Sequence, residues 1–236
     1  METIAKKNDE FIFKAEMDES LANTIRRYAN QIQIAAIDEV EIIKNDSPLY
    51  DETVAHRLGL IPLKQGAKKE GKLKLNVQEK EGFVYSNSLK GDFEVVYEKM
   101  PITLLNKGQE IELVARVRIG KGKEHAKFSP GIINYRRVFE ITLDKGVAEK
   151  VKNRIQNLKI ENKGDKAFIL DNGEKEICDI CEGISEKQGK KVEIKPTKEL
   201  VISLESFGQI EPKSIFIRSI ETLKKDLIEI SKKLGK

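Results

Sequence analysis

The chain of 236 residues contains no tryptophan, only two histidines and only two cysteines. Two thiols, Cys178 and Cys181, are too few for the cross-linked scaffold of a small secreted protein. Long apolar runs are missing as well. The longest are four residues, Ile34–Ile37 and Ala167–Leu170, where a membrane-spanning helix needs about 20. The opening Met1-Glu-Thr-Ile-Ala-Lys-Lys lacks the apolar stretch of roughly 7–15 residues that a secretory leader requires. A cytoplasmic chain without membrane contact is therefore expected. Charge of one sign is also scarce: 43 Lys and Arg against 39 Asp and Glu leave a net +4. A dedicated nucleic-acid binder concentrates far more positive charge. The length suggests one or two domains and suffices for a core that needs no staples.

Catalytic equipment is equally thin. His56 and His125 stand outside any zinc-binding spacing. Neither a nucleophile elbow nor a phosphate loop occurs. Gly120-Lys-Gly-Lys-Glu-His125 superficially suggests a phosphate cradle, yet it lacks the second glycine at the right spacing and a following Ser or Thr. A flexible basic turn after a strand is the simpler reading. Aspartate clusters of the kind that hold catalytic magnesium are missing, so no catalytic residue is expected in this chain. Cys178-Asp-Ile-Cys181 is the one redox or metal candidate. Tetrahedral zinc and cubane clusters each want four ligands, and this chain supplies two. Ordinary reduced thiols are expected, with a metal shared with another chain or a redox pair as alternatives.

Apolar alternation marks strands from Phe11 to Met17, from Gln33 to Lys44 with a bulge near Ile37, over 73–77 and 82–85, and more strongly over 93–97, 110–119 and 137–143. Asp18 can cap a helix over Glu19–Gln31 whose stripe is Leu21, Ile25, Tyr28, Ala29 and Ile32. Ser47 and Pro48 read as the start of a second helix ending at Gly59. Residues 144–191 turn lysine-rich, with turns at Lys163-Gly-Asp, Asp171-Asn-Gly and Lys187-Gln-Gly. They include a short helix over 147–158 and a strand over 166–170, and read as a small inserted subdomain with its own core. A strand over 199–207 then leads to a long final helix beginning near Pro212.

That helix is the most informative element. Phe216, Ile220, Leu223, Leu227, Ile230 and Leu234 repeat at alternating spacings of about four and three, a heptad seam that Ile217 and Ile228 broaden. Burying one such side chain fully is worth ~1.5–3 kcal/mol. Six left in water would forfeit roughly 9–18 kcal/mol gross, against a typical domain stability of ~5–15 kcal/mol. The seam must be covered. Periodicity alone favours the protein's own sheet as the cover; a second polypeptide is the alternative.

Three segments together resemble one family: Leu21-Ala-Asn-Thr-Ile-Arg-Arg27; Ala36-Ile-Asp-Glu-Val40 leading to Tyr50-Asp-Glu-Thr-Val-Ala-His-Arg-Leu-Gly-Leu-Ile-Pro-Leu63; and Gly120-Lys-Gly-Lys-Glu-His-Ala-Lys-Phe-Ser-Pro130. In this order, and closed by Glu205-Ser-Phe-Gly-Gln209, they are similar to the D subunit of archaeal DNA-directed RNA polymerase. That family is related to the bacterial alpha subunit and to the third-largest subunit of eukaryotic polymerase II. The resemblance covers nearly the whole chain and is weakest over 144–191. The compact, lysine-rich form is similar to the archaeal members.

The resemblance implies an α+β fold with a discontinuous dimerisation domain (1–45 and 197–236), mostly antiparallel sheet with two helices. It implies an inserted mainly-β domain (46–143 and 191–196), leaving 144–190 as a small lysine-rich subdomain, a degenerate form of the ferredoxin-like insertion some relatives carry. It further implies a non-catalytic assembly platform. Leu21, Ile25, Tyr28, Phe216, Ile220, Leu223, Leu227 and Ile230 would be shared with a smaller partner, the L subunit of the polymerase. His56, Arg57, Lys121, Lys123, His125 and Lys127 would meet a large catalytic subunit. For Arg57 and His125 a salt-bridged helix residue and a loop imidazole remain equally good readings. Other small subunits would join, direct DNA contact would be slight, and magnesium would sit in the catalytic subunit. With two cysteines in place of four and none over 64–80, neither an iron–sulfur cluster nor a zinc ion is expected. Two other classes stay open: a free-standing nucleic-acid binder using Lys121, Lys123, Lys127, Arg136 and Arg137, and a redox or metal protein built on the cysteine pair.

Overall fold

The computed structural model describes every residue except 1, 67, 79, 80, 156, 157, 159, 172–176 and 236. Among these the chain runs β1 (Glu2–Lys6), β2 (Glu10–Glu16), α1 (Glu19–Tyr28), β3 (Gln33–Asn45), α2 (Asp51–Gly59), β4 (Gly71–Val77), β5 (Gly82–Tyr85), β6 (Lys90–Gly91) and β7 (Pro101–Leu105). It continues with β8 (Ile111–Lys121), β9 (Gly131–Asp144), α3 (Lys145–Lys152), β10 (Ile160–Lys163), β11 (Lys166–Leu170), α4 (Ile177–Lys187), β12 (Glu193–Ser206) and α5 (Pro212–Leu234). The fold is α+β with mostly antiparallel pairing. Two compact units form, one from 1–7, 11–23 and 134–203, the other from 8–10, 24–133 and 204–236.

In the first unit the strand order is β1-β2-β12-β9-β11-β10. Residues 144–191 were expected to form a small inserted subdomain with its own core. β11 pairs antiparallel with β9, from Lys166 opposite Asp144 to Leu170 opposite Glu140, and continues the sheet. Ile141 and Leu143 of β9 share one core with Val147, Ala148 and Val151 of α3, Ala167 and Ile169 of β11, and Ile177 and Cys181 of α4. Alternation on β9 and helical spacing on α3 and α4 meet on a single face, so this core draws on β9 as well as on residues 144–191. Asp144 caps α3 by accepting the Gly146 N–H at 3.0 Å. The helix ends at Lys152 rather than Leu158, and residues 156 and 157 of that expectation lie outside the described residues, as does most of the Asp171-Asn-Gly turn. Asp171 is fully buried, and two cations meet it. Arg136 donates to both carboxylate oxygens, and Lys14 Nζ donates to the backbone oxygen at 2.7 Å.

In the second unit a four-stranded sheet has the order β3-β8-β4-β6, beside a β5–β7 pair. β3 and β8 run from Gln33 opposite Lys121 to Asn45 opposite Ile111, with register shifts at Ile37/Glu39 and Ile42/Lys44. The first shift is the bulge that the broken alternation foretold. Ile111, Leu113, Ala115 and Val117 on β8 share a core with Leu73 and Leu75 on β4 and with Val54 and Leu58 on α2. β3 is a long edge strand, and one side chain guards part of its free edge. The Gln65 Oε1 accepts the Ala35 N–H at 2.9 Å, while its Nε2 donates to Leu63 O at 2.8 Å. An amide thus takes the place of a neighbouring strand.

Three local expectations change. α2 begins at Asp51 with Tyr50 at its N-cap, and Ser47 does not cap it. Asn45 reorganises this turn, since its Oδ1 accepts from Ser47 Oγ at 2.6 Å while its Nδ2 donates to Asp51 at 2.8 Å. Residues 93–97 form a single bridge, Val95 to Leu63, rather than a strand. β7, opened by Pro101 and paired with β5, was not foreseen.

Candidate assembly surfaces

α5 is a 23-residue helix opened by Pro212 in its first turn, where the missing N–H costs nothing. Its first turns are held: Ile215 and Ser219 are buried, and the helix packs on the 3-10 turn Ala29–Gln31 that follows α1. Phe216, Ile220 and Leu223 are half-buried. Beyond them cover stops. Leu227, Ile228 and Ile230 are 55%, 56% and 52% exposed. The chain itself therefore covers only the start of the seam, chiefly through the Ala29–Gln31 turn. Tyr28 lies near Asp226 of this helix; burial first and the Asp226 carboxylate second raise the Tyr28 pKa. Along α1 the stripe is uneven too. Leu21 is exposed and Tyr28 half-buried, but Ile25 is only 3% exposed and already filled by its own chain. Ile25 can therefore add no new buried area to a partner contact.

The second surface is the loop between β8 and β9. Gly120 lets it fold back tightly: a Cβ there would stand 2.6 Å from the Phe128 ring. Phe128 is fully buried beneath the loop, with the Arg118 guanidinium 4.6 Å from its ring centroid. Asp38 on β3 links the two cations that lie against this ring, Arg118 and Lys127. It accepts from Arg118 Nε at 2.6 Å and pairs with Lys127 Nζ at 2.5 Å. Arg118 also donates to Glu124 at 3.1 Å. Two further tethers reach residue 30, Lys123 N–H to Asn30 O at 3.0 Å and Ser129 Oγ to Asn30 Oδ1 at 2.7 Å. A conformation fixed at so many points is formed before any partner arrives.

The six residues expected at a large-subunit contact have different local roles. His56, Lys123 and His125 are exposed, and His125 Nδ1 accepts the Lys127 N–H at 3.2 Å. Arg57 is exposed but donates to Ile102 O at 3.1 Å. Lys121 is half-buried near Gln31, and Lys127 is spent on Asp38. The structure brings the two motif segments together at Gly59, whose Cβ position lies 3.8 Å from Lys127 Cδ. Asp38, Arg118 and Glu124 were missed by sequence reasoning. The pairing spans 80 residues, and only the β3–β8 register would have revealed it.

The Arg118 hydrogen bond, with the Lys127 pair behind it, lowers the Asp38 pKa below its ordinary 3.8. A depressed carboxylate contributes stability that is complete above about pH 4 and is lost as pH falls through the folded value. The stability difference between wild type and Asp38→Asn should therefore be constant from about pH 5 to 7 and shrink below about pH 4. Urea midpoints measured across that range check it; a difference independent of pH would mean the link is not ionic.

The cysteines occupy the first turns of α4. Burial raises both thiols, Cys181 to about 12, so neither is thiolate near neutrality. Among the described residues no three His, Cys, Asp or Glu side chains gather as a metal site. A four-ligand cluster does not fit this donor set, because the chain holds two thiols and one is sealed in the core. Of the five cations proposed for nucleic acid, Lys127 pairs with Asp38, Arg136 with Asp171 and Arg137 with Glu19, the last at 2.6 and 2.9 Å. Among the described residues no helix is long and apolar enough to cross a membrane.

The chain has relatives among known proteins. The family profile described as the RNA polymerase Rpb3/RpoA insert domain matches residues 32–139, which hold β3, α2 and the start of β9. The chain is 30% identical over 243 residues to the DNA-directed RNA polymerase subunit Rpo3 of Methanosphaera stadtmanae, covering 89% of each. It is 35% identical over 147 residues to the Rpo3 of Thermococcus kodakarensis, covering 56% of this chain and 57% of that one. With the Rpo3 of Pyrococcus furiosus it shares 33% identity over 165 residues, 63% of each. In the last two cases the match spans less than two thirds of the relative's length.

Proposed function

The chain belongs to the Rpo3/Rpb3 family of DNA-directed RNA polymerase subunits, and from that premise we propose that it is a non-catalytic assembly platform of the enzyme. α1 and α5 pair with a small partner of the L-subunit kind. The segments 56–63 and 121–130 then receive a large catalytic subunit, and other small subunits join. Magnesium and nucleotidyl transfer belong to the catalytic chain, direct contact with DNA is slight, and the complex works in the cytoplasm. In this reading 1–45 and 197–236 form the dimerisation domain, 46–143 with 191–196 the insert domain, and 144–190 a small subdomain.

The observation that carries the proposal is the uncovered distal half of α5, with Leu227, Ile228 and Ile230 each more than half exposed on a heptad seam. Completing the burial of these three and Leu234 is worth roughly 4–8 kcal/mol gross. A micromolar complex needs about 8 kcal/mol net, after at least ~4 kcal/mol lost in association. α5 alone therefore falls short, and the rest must come from Leu21, Tyr28 and the half-buried Phe216, Ile220 and Leu223. Ile25 supports this surface from behind. The free nucleic-acid binder loses ground because three of its five cations have carboxylate partners within the chain.

Co-expression with a small α/β partner of the L type tests the proposal. A stoichiometric complex surviving size exclusion is the expected result. A chain that stays monomeric beside a folded partner would overturn it.

A further inference from the structure

We infer that the groove between α3 and α4 docks an acidic peptide segment that carries aliphatic anchors. The groove belongs to neither surface described above. It encloses about 500 Å³. Ile180 and Ile184, both half-buried, form its apolar lining on α4. Lys150, Arg154 and Lys187 line it with positive charge against the single carboxylate of Asp179. Three cations around two isoleucines complement a segment that pairs acidic residues with Leu or Ile.

Gly183 gives an independent reason to look here. It is the seventh residue of the 11-residue α4 and lines the groove. Glycine inside a helix weakens it, and is normally kept for a positive φ or a close approach of backbone. Among the described residues neither applies to Gly183, because a Cβ built there meets nothing within 4 Å and its φ lies outside the left-handed range. None of the described residues has a use for the glycine. A side chain entering from outside does, since the gap it leaves between Ile180 and Ile184 admits an anchor. The Gln188 amide nitrogen, also in the lining, is buried without an acceptor among the described residues and supplies a donor for a peptide carbonyl.

The same lining argues against nucleic acid. It has no aromatic ring on which a base could stack, and Asp179 would face a phosphate.

The test uses the full chain and a fluorescein-labelled peptide of about 16 residues, long enough to lie along α4. Its sequence is acidic with Leu at helical i, i+3, i+4 spacing. Three controls accompany it: the same peptide with Lys for every acid, the acidic peptide with Ser for every Leu, and a single-stranded DNA oligonucleotide. Saturable anisotropy is expected for the acidic Leu peptide alone. Affinity should fall about tenfold or more in the Lys150→Glu/Lys187→Glu variant and in Gly183→Gln, which fills the gap. Gly183→Ala is the check on folding and should melt at or above the wild-type temperature. Absence of saturable binding, equal binding of the DNA, or undiminished binding by Gly183→Gln would each overturn the inference.

Discussion

Leu227→Asp is expected to abolish pairing with the small partner while leaving the isolated chain as stable as before. Leu227 is 55% exposed when the chain is alone, so the new carboxylate stays in water and folding changes by no more than about 0.5 kcal/mol. In a closed seam the same carboxylate loses its water without gaining a partner. Leu227 is already part-buried, so lost apolar burial of ~0.8–1.6 kcal/mol adds to a desolvation cost of at least ~2 kcal/mol. The sum is a roughly 100-fold or larger loss of affinity. Analytical ultracentrifugation of the mixed subunits, with thermal melting of the variant alone, reads both quantities. Ile25→Asp gives the contrasting case. At 3% exposure Ile25 belongs to the chain's own interior, so that variant should fail to fold before any partner is added. A Leu227→Asp chain that still pairs with undiminished affinity would remove α5 from the interface.

Phe128→Ala should give the largest loss of stability outside the central core, about 3–5 kcal/mol. The ring is fully buried at the base of the 121–130 loop, against Gly120 and beneath Arg118 and Lys127. Removing it leaves a cavity that Gly120, having no side chain, cannot fill, and deprives Arg118 and Lys127 of the ring they rest against. The loop then loses its fixed shape, so binding of a large subunit should weaken as well. Urea denaturation measures the first effect. A loss below about 1 kcal/mol would mean that the loop collapses onto the vacancy and is less rigid than its tethers indicate.

Both sites were visible in the sequence to different degrees, for physical reasons. The α5 seam announced itself because helical periodicity is a local signal, and Phe216 to Leu234 keep it for six positions. How far that seam is covered was not legible, because cover depends on what else the chain brings to it. The strands β2, β3, β8 and β9 were readable from alternation for the same local reason. Where side chains act across distance, sequence reasoning failed. Asp38 looked like an ordinary strand residue, and its bonds to Arg118 and Lys127 close over 80 and 89 residues. Ser47 looked like a helix cap, yet the Asn45 side chain took over that turn. α4 was overlooked because its cysteines were weighed as chemistry. Ile177, Ile180, Cys181 and Ile184 in fact make a helical stripe, and the buried Cys181 thiol serves there as a small apolar group. β7 was hidden by Pro101 at its first position and by the paired apolar residues of Pro101–Leu105, which do not alternate cleanly.

The uneven cover of α5 also governs what becomes of a copy made without its mate. Opening the last turns of this helix disrupts few tertiary contacts, so they unravel at low free-energy cost, far below that of global unfolding. In the chain alone this stretch of α5 is thus a ready site for proteolysis that also exposes Leu227, Ile228 and Ile230. Under the proposed pairing, docking of the small partner would seal the same turns, so the mixed subunits should resist a protease that trims α5 in the chain alone.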